Sequence, residues 1–442
     1  MTGNTEVVVI GGGYAGVMAA NRLTRRDDVT VTLVNPRPSF VHRVRLHQLV
    51  GGTGEAVVGF PEVLGGRVRL TVGSVERIDT AGRRLTLADG GTLGYDYLVY
   101  AVGSGSADPG VPGAAGFARP IASLEDAERL RPALDAVPAT APVAVVGAGP
   151  TGIETAAELA EAGRAVTLVC GGVLGPYLHA RGRRSVARRM ARLGVTVLDG
   201  PGTKVTEVTR EAVRLADGRE LPSAVTIWTA GFGVPDLAAR SGLSTDALGR
   251  LLTDETLTSV DDERVVAAGD SAAPSGLPLR MSCQAAIPLG ARAADTVLAR
   301  IAGERPEPLN ESFAGQCISL GRQEGIFQFA RRDTAVRFHI DGRAGAKLKE
   351  KVCAGIVAHL AGEAGAPGSY RLHRIPGSTR RRRLARAGRT GEALAPNTMS
   401  APSTASAPST TSTPSTLSTP STPSAPSTPD ALPRAAGSPP RS

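Results

Sequence analysis

Short apolar runs that lead into glycine-rich turns recur along the chain as far as about residue 303. Two of them, VVVI at residues 7–10 and VAVV at residues 143–146, are apolar throughout, as buried parallel strands are. After each turn, the apolar residues return at helical spacing, and a second apolar strand follows. This alternation of strands and helices predicts an α/β fold with parallel sheets.

The two strand–turn–helix units belong to an internal repeat. VTLV stands at residues 31–34 and again 135 residues later, and LADG stands at residues 87–90 and again 128 residues later. In both copies a β-rich stretch with an Asp-Gly turn follows, and an apolar strand closes the copy at Gly103 or at Gly231. The repeated order predicts two copies of one architecture in one protein.

Both glycine-rich turns, GGGYAG at residues 11–16 and GAGPTG at residues 147–152, fit the pattern GxGxxG. In this pattern the first glycine makes the turn, the second admits a pyrophosphate, and the third lets the helix pack on the strand. The helix N-terminus then faces the phosphates. Two such turns predict two dinucleotide sites, and a flavin in one with a nicotinamide in the other would allow hydride transfer between them.

A third signal follows both copies, where the apolar run VVAAGD at residues 265–270 ends in Gly-Asp. The Asp270 carboxylate can accept a hydrogen bond from a ribityl hydroxyl of a flavin. By itself, an aspartate at this place is equally typical of an ordinary strand end.

Together, these segments resemble the pyridine nucleotide-disulfide reductase superfamily of FAD/NAD(P)H oxidoreductases over about residues 5–303. The resemblance implies two nested Rossmann-like dinucleotide-binding domains, a small α+β C-terminal domain and a disordered tail. Its bounds are an FAD domain at 1–118 and 252–303, an NAD(P)H domain at 119–251, a C-terminal domain at 304–369, and a basic linker with a Ser/Thr/Pro-rich tail at 370–442.

The same resemblance implies the cofactor contacts. For FAD, they are Gly11, Gly13, Tyr14, Ala15, Gly16, Asn35, Gln48, Val75, Gly103 and Asp270. For NAD(P)H, they are Gly147, Gly149, Pro150, Thr151, Gly152, Glu154 and Gly231.

The cysteines depart from the pattern of the disulfide reductases. Residues 1–169 contain no cysteine, and the four in the chain show no CxxxxC or CxxC spacing. We therefore expect no dithiol relay in the FAD domain, no disulfide framework and no metal site. Electrons must leave the flavin directly for a separate acceptor.

Among relatives without the dithiol, the chain is most similar to type II NADH:quinone reductases and to apoptosis-inducing-factor-like NAD(P)H:quinone reductases. GPTGIE at 149–154 implies that Glu154 lies near the nicotinamide end of the flavin, where it orients the carboxamide or helps to move protons. An ordinary carboxylate in the first turn of a helix is the alternative.

SCQAA at 282–286 implies that Gln284 faces the flavin or the acceptor, although the apolar residues 287–289 stand where a second polar residue is expected. Residues 318–326 resemble the hairpin that opens the C-terminal domain.

The residues expected at the riboses and beside the flavin do not decide between NADH and NADPH. Asn35 and Cys170 stand where an acidic residue commonly binds a ribose, and only Asn35 can replace it. A 2′-phosphate could be bound by three nearby arginines, Arg181, Arg183 and Arg184, which form a solvated helix face in the alternative interpretation. Either NADH or NADPH is therefore compatible with the sequence. His42 and His47 lie where relatives approach the flavin, but we expect packing histidines there, with Gln48 or Arg45 at the pyrophosphate.

Charge is concentrated near the C-terminus. The 442 residues carry a formal charge of +9, and residues 371–389 contain eight arginines and no acid. This excludes a uniformly basic nucleic-acid binder. We interpret Arg380–Arg383 as a solvated linker, with a contact to nucleic acid or anionic lipid as the alternative, and we expect disorder from about Gly391 onward.

Residues 345–361 predict an amphipathic helix with Lys347, Lys349 and Lys351 outside its apolar face. We expect this face to pack on the core, and a helix lying on a membrane is the alternative. Because the sequence shows neither a signal peptide pattern nor an apolar stretch of ~20 residues, we expect a cytoplasmic protein, with peripheral contact at the inner face of the membrane as an option.

The sequence therefore predicts an FAD-dependent NAD(P)H dehydrogenase that passes electrons to a quinone or a similar small acceptor, with Glu154 and Gln284 as catalytic residues. One alternative is a reductase of a ferredoxin- or rubredoxin-type carrier that docks on the arginine run. Another is a redox-sensing flavoprotein that binds DNA or lipid through that run. Sulfide oxidation is a weaker alternative, because it needs cysteines at the flavin and only Cys170 and Cys353 are candidates. The leading interpretation includes no nucleic acid, and the oligomeric state does not follow from the sequence.

Overall fold

A computed structural model describes residues 4–310, 315–331 and 334–372, together with residues 380, 382, 384 and 385. The predicted disordered tail from Gly391 onward lies outside the described residues.

The strands, in chain order, are β1 (Thr5–Ile10), β2 (Val29–Asn35), β3 (Ser39–Val41), β4 (Val57–Gly59), β5 (Val68–Val72), β6 (Val75–Asp79), β7 (Arg84–Leu87), β8 (Thr92–Gly94), β9 (Tyr97–Tyr100), β10 (Gly105–Ser106), β11 (Ala118–Pro120), β12 (Val143–Val146), β13 (Val166–Val169), β14 (Thr196–Leu198), β15 (Val205–Val208), β16 (Ala212–Leu215), β17 (Glu220–Pro222), β18 (Val225–Trp228), β19 (Phe232–Gly233), β20 (Leu251–Thr253), β21 (Val265–Ala267), β22 (Ala272–Pro274), β23 (Gly315–Ser319), β24 (Gly325–Arg331) and β25 (Thr334–Ile340).

The α-helices are α1 (Tyr14–Leu23), α2 (Leu46–Gly51), α3 (Phe60–Val63), α4 (Ala114–Phe117), α5 (Leu124–Asp135), α6 (Pro150–Glu161), α7 (Ala180–Arg192), α8 (Leu237–Arg240), α9 (Cys283–Ile301) and α10 (Gly342–Gly365).

Two five-stranded parallel sheets form the centre of the fold. One has the order β21-β9-β1-β2-β5 and the other has the order β11-β18-β12-β13-β14. In each sheet, the strand before the glycine-rich turn lies between the second strand and the closing strand of its own copy. This shared order confirms the predicted repeat and the α/β fold of two Rossmann-like units.

The other elements of the repeat are also present twice. The Asp-Gly turns lie in three-stranded antiparallel sheets, β6-β7-β8 in the first copy and β15-β16-β17 in the second. The copies meet through the short strands that follow Gly103 and Gly231, because β10 pairs with β19 in the register Gly105↔Gly233. The two closing turns are thereby joined to each other.

Helix α1 is buried along its whole length, with all ten residues inaccessible to solvent or nearly so. It packs between the first sheet and α9, and its side chains share one core with Val7, Val9 and Val297. Its first eight residues carry no charged side chain, and the two polar residues near its end are paired: Asn21 donates to the Val63 carbonyl and Arg22 pairs with Asp295.

The C-terminal part is an antiparallel sheet, β23-β24-β25, with α10 packed on it. The predicted hairpin is confirmed by the pairing Ile318↔Ile326. Helix α10 places Ile356 and Leu360 in the core that contains α1, which confirms the core-facing interpretation of this helix. One expectation was wrong: Lys349 is only 7% exposed and lies on the buried face with Cys353.

The arginine run is not solvated at its first residue. Arg380 is 8% exposed and forms a two-pronged ion pair with Glu255, at Nη2–Oε1 2.6 Å and Nε–Oε2 2.7 Å. It also donates to the carbonyl oxygens of Leu277 and Pro274. A linker interpretation fails for Arg380 because its charge is matched inside the protein, whereas Arg382 is exposed as expected.

Replacing Arg380 tests whether this contact stabilises the fold. We expect Arg380→Gln to lower the free energy of unfolding by about 2–3 kcal/mol, because the Glu255 carboxylate and two carbonyls lose charged donors. Urea unfolding at pH 7 measures this, with Arg382→Gln as the matched control at an exposed arginine of the same run. A chain ending after Ala385 should match the full chain, and one ending after Leu372 should match Arg380→Gln. Equal stability of all these forms would contradict a structural role for Arg380.

Candidate functional site

The two glycine-rich turns have the same geometry, because the helix after each turn rests directly on it. A Cβ atom added at Gly16 would lie 1.8 Å from the carbonyl oxygen of Gly11, and one added at Gly152 would lie 1.9 Å from that of Gly147. Gly11 and Gly147 have φ values of +102° and +118°. L-residues with side chains rarely adopt this conformation, so both turns require glycine at the predicted places.

The middle glycine of each turn leaves space for a ligand. A Cβ atom added at Gly13 or at Gly149 would meet nothing within 4 Å. Neither α1 nor α6 has a side chain bonded to its first N–H groups or an acid in its first turn. Open backbone donors at a helix N-terminus are the usual partners of phosphate groups, so the residues present fit two dinucleotides.

Asn35 and Asp270 lie at the edge of the first turn. The Asn35 side chain accepts from the Gly12 N–H at 2.8 Å and donates to the Arg37 carbonyl, so it holds the turn to the end of β2. The Asp270 carboxylate accepts from the Ser104 hydroxyl at 2.7 Å and from the Ser282 N–H at 3.1 Å. Asp270 therefore lies where the loop after β9 meets the start of α9.

Three other predicted FAD residues are Gly103, Val75 and Gln48. Gly103 has a φ of +74° and lies after β9, and Val75 is buried at the start of β6. Gln48 accepts from Arg45, whose guanidinium also pairs with Glu350 of α10. The predicted pyrophosphate contact of Gln48 or Arg45 stays a prediction.

Tyr14 and His42 form a buried pair beside the first turn. The Tyr14 hydroxyl lies 3.1 Å from Nδ1 of His42 and accepts from the Val44 N–H. Burial raises the pKa of Tyr14, so its hydroxyl stays protonated. Nε2 of His42 is buried without a hydrogen-bond partner among the described residues.

In the second copy, the turn is tied to its closing strand. The Thr229 hydroxyl donates to the Val146 carbonyl at 2.8 Å, and Gly231, with a φ of +84°, starts the turn that follows. Burial raises the pKa of Cys170 at the end of β13 to about 12, so this position carries no negative charge. The exposed Arg181 and Arg184 lie in the first turns of α7.

Glu154 is the centre of a buried network that joins four elements. Its Oε1 lies 2.8 Å from Nζ of Lys349 in α10 and accepts from the Ser319 N–H of β23 at 3.0 Å. Its Oε2 lies 3.8 Å from Nδ1 of His47 in α2. The Ser319 hydroxyl lies 3.1 Å from Nε2 of His47 and completes the network.

The charges in this network are settled by burial and by the partners. Burial alone would raise the pKa of Glu154, but Lys349, His47 and the Ser319 N–H more than offset it and lower that pKa. Burial opposes the charge of Lys349, yet the Glu154 carboxylate raises the pKa of Lys349 well above its usual range. The pair is therefore a carboxylate and an ammonium.

His42 and His47 are both neutral at pH 7. Burial, with the charges of Arg45 and Lys349, lowers the pKa of His42 to about 4. Burial also lowers the pKa of His47 to about 4, although Glu154 opposes the shift.

Gln284 lies in the first turn of α9 and is exposed, so it is open to a ligand. The neighbouring Cys283 is a free thiol whose pKa burial raises to about 12. The described part of the chain contains no group of three or more His, Cys, Asp or Glu side chains that could hold a metal ion.

Three residues of this site, Thr229, Arg43 and Lys349, were not predicted from the sequence. Thr229 bonds to Val146 beside the second turn. Arg43 lies 3.9 Å from Asp270 and donates to Ser104. The burial of Lys349 could have been predicted, because Lys349 precedes Cys353, Ile356 and Leu360 at helical spacing and so lies on the same helix face. Its identity as a lysine suggested solvent, and only the structure shows the carboxylate that it faces.

With this geometry established, comparisons with known proteins identify related chains. The profile of the pyridine nucleotide-disulphide oxidoreductase family matches residues 5–290. An NADH dehydrogenase-like protein of Mycobacterium tuberculosis is 32% identical over 327 residues, which cover 66% of this chain and 80% of that protein. A type II NADH:quinone oxidoreductase of the same organism is 29% identical over 369 residues, or 73% of this chain and 79% of that protein. The crystal structure of a sulfide:quinone oxidoreductase from Aquifex aeolicus has the same fold, with a TM-score of 0.70 at 20% identity over 82% of this chain and 93% of that chain.

No described helix is both long enough and apolar enough to cross a membrane.

A double-mutant cycle on Glu154 and Lys349 tests the buried ion pair. We expect Lys349→Met or Glu154→Gln alone to lower the free energy of unfolding by about 3–5 kcal/mol, because each leaves one buried partner without its counterpart. The double variant should lose clearly less than the sum of the two, since neither charge then remains. Urea unfolding at pH 7 gives the three values, and simple additivity would contradict direct pairing.

The lowered pKa values of His42 and His47 predict a loss of stability in acid. Between pH 6.5 and about 4, the unfolded chain binds protons at these histidines while the folded protein does not, so the free energy of unfolding falls as the pH falls. His47→Gln should reduce the slope in this window by up to about 1.4 kcal/mol per pH unit. Urea unfolding from pH 4.5 to 7.5 measures the slope, and an unchanged slope would show that His47 titrates normally.

Proposed function

Because the chain belongs to the pyridine nucleotide-disulphide oxidoreductase family and is an FAD-dependent NADH dehydrogenase-like enzyme, we propose that it passes electrons from NAD(P)H through FAD to a quinone or a similar small acceptor without a redox-active disulfide. The first glycine-rich turn and Asp270 would hold FAD, which would supply the hydride-accepting and electron-donating chemistry. The protein supplies binding, orientation and electrostatics.

The cysteines are the observation that carries this proposal. All four are free, none lies in residues 1–169, where the disulfide reductases of the family place their CxxxxC pair, and no CxxC occurs elsewhere in the chain. Burial raises the pKa values of Cys170, Cys283 and Cys317 and keeps these thiols protonated. A protonated thiol is a poor partner in thiol–disulfide exchange, which supports direct transfer to a separate acceptor.

Quinone as the acceptor is supported by the relatives. The M. tuberculosis type II enzyme is named for NADH and quinone, and this chain aligns with 79% of it. Gln284 is exposed at the start of α9, close in sequence to Ser282, which bonds Asp270. We propose that a small acceptor reaches the flavin at this segment.

For the residues of the second turn, we propose positioning roles. The open N-terminus of α6 binds the diphosphate of NAD(P)H, and Pro150 and Thr151 line its first turn. Glu154 lies one turn further along the same helix, held ionised by Lys349. As a fixed carboxylate beside the nicotinamide end, Glu154 orients the carboxamide and helps proton movement.

A protein carrier that docks on the arginine run would not use its first residue. Arg380 uses its guanidinium on Glu255 and two carbonyl oxygens. Its charge is therefore not available to an acidic partner at the surface.

Anaerobic stopped-flow on the FAD-loaded protein tests the proposal. We expect NADH or NADPH to bleach the oxidised flavin band rapidly and menadione to restore it, and the faster nucleotide identifies the natural donor. Glu154→Gln should slow bleaching by about 10²-fold, because a mispositioned nicotinamide loses the reactive geometry. The matched control is Glu158→Gln, one turn further along α6, where the carboxylate accepts from Thr53 instead.

A variant with serine at all four cysteine positions should keep both half-reactions. Loss of the menadione step in that variant would overturn the disulfide-free route. Flavin that neither nucleotide bleaches would overturn hydride transfer itself.

A further inference from the structure

Arg280 lies where three parts of the protein meet. It belongs to the loop between β22 and α9, and its Nη1 donates to Oε1 of Gln316 in β23 at 3.0 Å. Its guanidinium carbon lies 4.0 Å from the ring centroid of Tyr177, in the loop between β13 and α7. One cation thus contacts the FAD-side loop, the nicotinamide-side loop and the C-terminal sheet.

No carboxylate balances this cation among the described residues, where Gln316 is its hydrogen-bond acceptor and Tyr177 its ring contact. Several of the other arginines removed from solvent do have such a partner, whereas Arg183 and Arg300 bond only to uncharged oxygens within the described part of the chain. Examples with an acidic partner are the pairs Arg22–Asp295, Arg250–Asp246, Arg292–Glu307 and Arg380–Glu255. Burial lowers the pKa of Arg280, and Tyr177 offsets only part of that shift. The protein therefore holds a half-buried positive charge without supplying the anion.

The surroundings of Arg280 are fixed in place. Gln328 of β24 accepts from the His179 N–H at 2.7 Å and donates to the Tyr177 carbonyl, so the tyrosine is anchored to the C-terminal sheet. On the other side, the Ser282 hydroxyl donates to the Arg280 carbonyl, and the Ser282 N–H donates to Asp270. A guanidinium stacked on an anchored ring is preorganised to receive an anion, because little conformational entropy is lost on binding.

The two segments that we propose to bind the substrates are connected to this place. The loop that carries Tyr177 is bonded to the second glycine-rich turn, since the Gly175 N–H donates to the Ala148 carbonyl at 3.1 Å. Arg280 also precedes Gln284, the exposed residue at the proposed acceptor segment, by four positions. An anionic group of either ligand would find Nε and Nη2 of Arg280 without a hydrogen-bond acceptor among the described residues.

We propose that Arg280, stacked on Tyr177, is the counter-ion for an anionic group of a substrate and so determines which substrates the enzyme prefers. This inference rests on the proposed function only in taking NAD(P)H and a small acceptor as the ligands. The anionic group is a phosphate of the dinucleotide or a charged substituent on the acceptor, and these two sources give different results below.

Two measurements on the FAD-loaded protein test the role of Arg280. In the first, calorimetric titration without turnover gives the Kd of NAD⁺ and NADP⁺. In the second, steady-state assays give KM for neutral menadione and for anionic 1,4-naphthoquinone-2-sulfonate. We expect Arg280→Gln to weaken the anionic ligand by about 10- to 100-fold through Kd or KM, the effect of a lost charge-assisted hydrogen bond. KM for menadione should change by less than about twofold, and Arg280→Lys should restore part of the loss.

The matched control is Arg264→Gln. Arg264 also stacks on a tyrosine, Tyr97, at 4.9 Å, but it has an acidic neighbour in Glu263. It should leave both measurements unchanged.

Weaker nucleotide binding alone assigns the anion to the dinucleotide, and a raised KM for the sulfonate alone assigns it to the acceptor. Unchanged values for every ligand, or equal weakening of menadione and the sulfonate, would overturn the proposal. If no quinone is reduced at all, the proposed acceptor fails, while the nucleotide titration still decides the role of Arg280.

Discussion

The close contact between each dinucleotide helix and the turn before it is the constraint on which the rest of this structure depends. The helix can rest on the turn only because Gly16 and Gly152 have no side chain, and the turns can form only because Gly11 and Gly147 adopt positive φ. Strand, turn and helix are thereby fixed as rigid units. Around them, each sheet takes the same strand order, and the open helix N-termini are left facing the places where phosphates fit.

Buried charge connects these units to the C-terminal part of the chain. Glu154 and Lys349 belong to α6 and α10, and the Ser319 N–H of β23 completes the contact. Separating these elements would leave a charge without a partner in a poorly solvated interior, which is costly. The nicotinamide-side helix and the C-terminal sheet are therefore held together at the same carboxylate to which we assign a role in orienting the nicotinamide.

The arginines show how the protein distinguishes stabilisation from recognition. Arg380 donates to both carboxylate oxygens of Glu255 and to the carbonyl oxygens of Leu277 and Pro274. It therefore connects the loop after β22 to Glu255. Arg280, a few residues further along that loop, has a stacked ring and one amide oxygen but no described acid. The charge of Arg380 is thus neutralised by Glu255 within the chain. The charge of Arg280 is not neutralised by a described residue, and in our proposal a substrate supplies the anion.

The sequence by itself determined the repeat, the two turns, the succession of strands and helices along the chain and the hairpin at 318–326, since these follow from local signals. A turn that needs positive φ requires glycine, and a buried strand requires a short apolar run, wherever the rest of the chain lies. The partners of Lys349, Arg280 and Arg380 were decided only by the tertiary structure. Glu255 is 125 positions from Arg380, and no periodicity links residues at such a separation. Whether a cation is buried, paired or left open depends on which distant carboxylate the fold brings to it, and that is a property of the packed molecule.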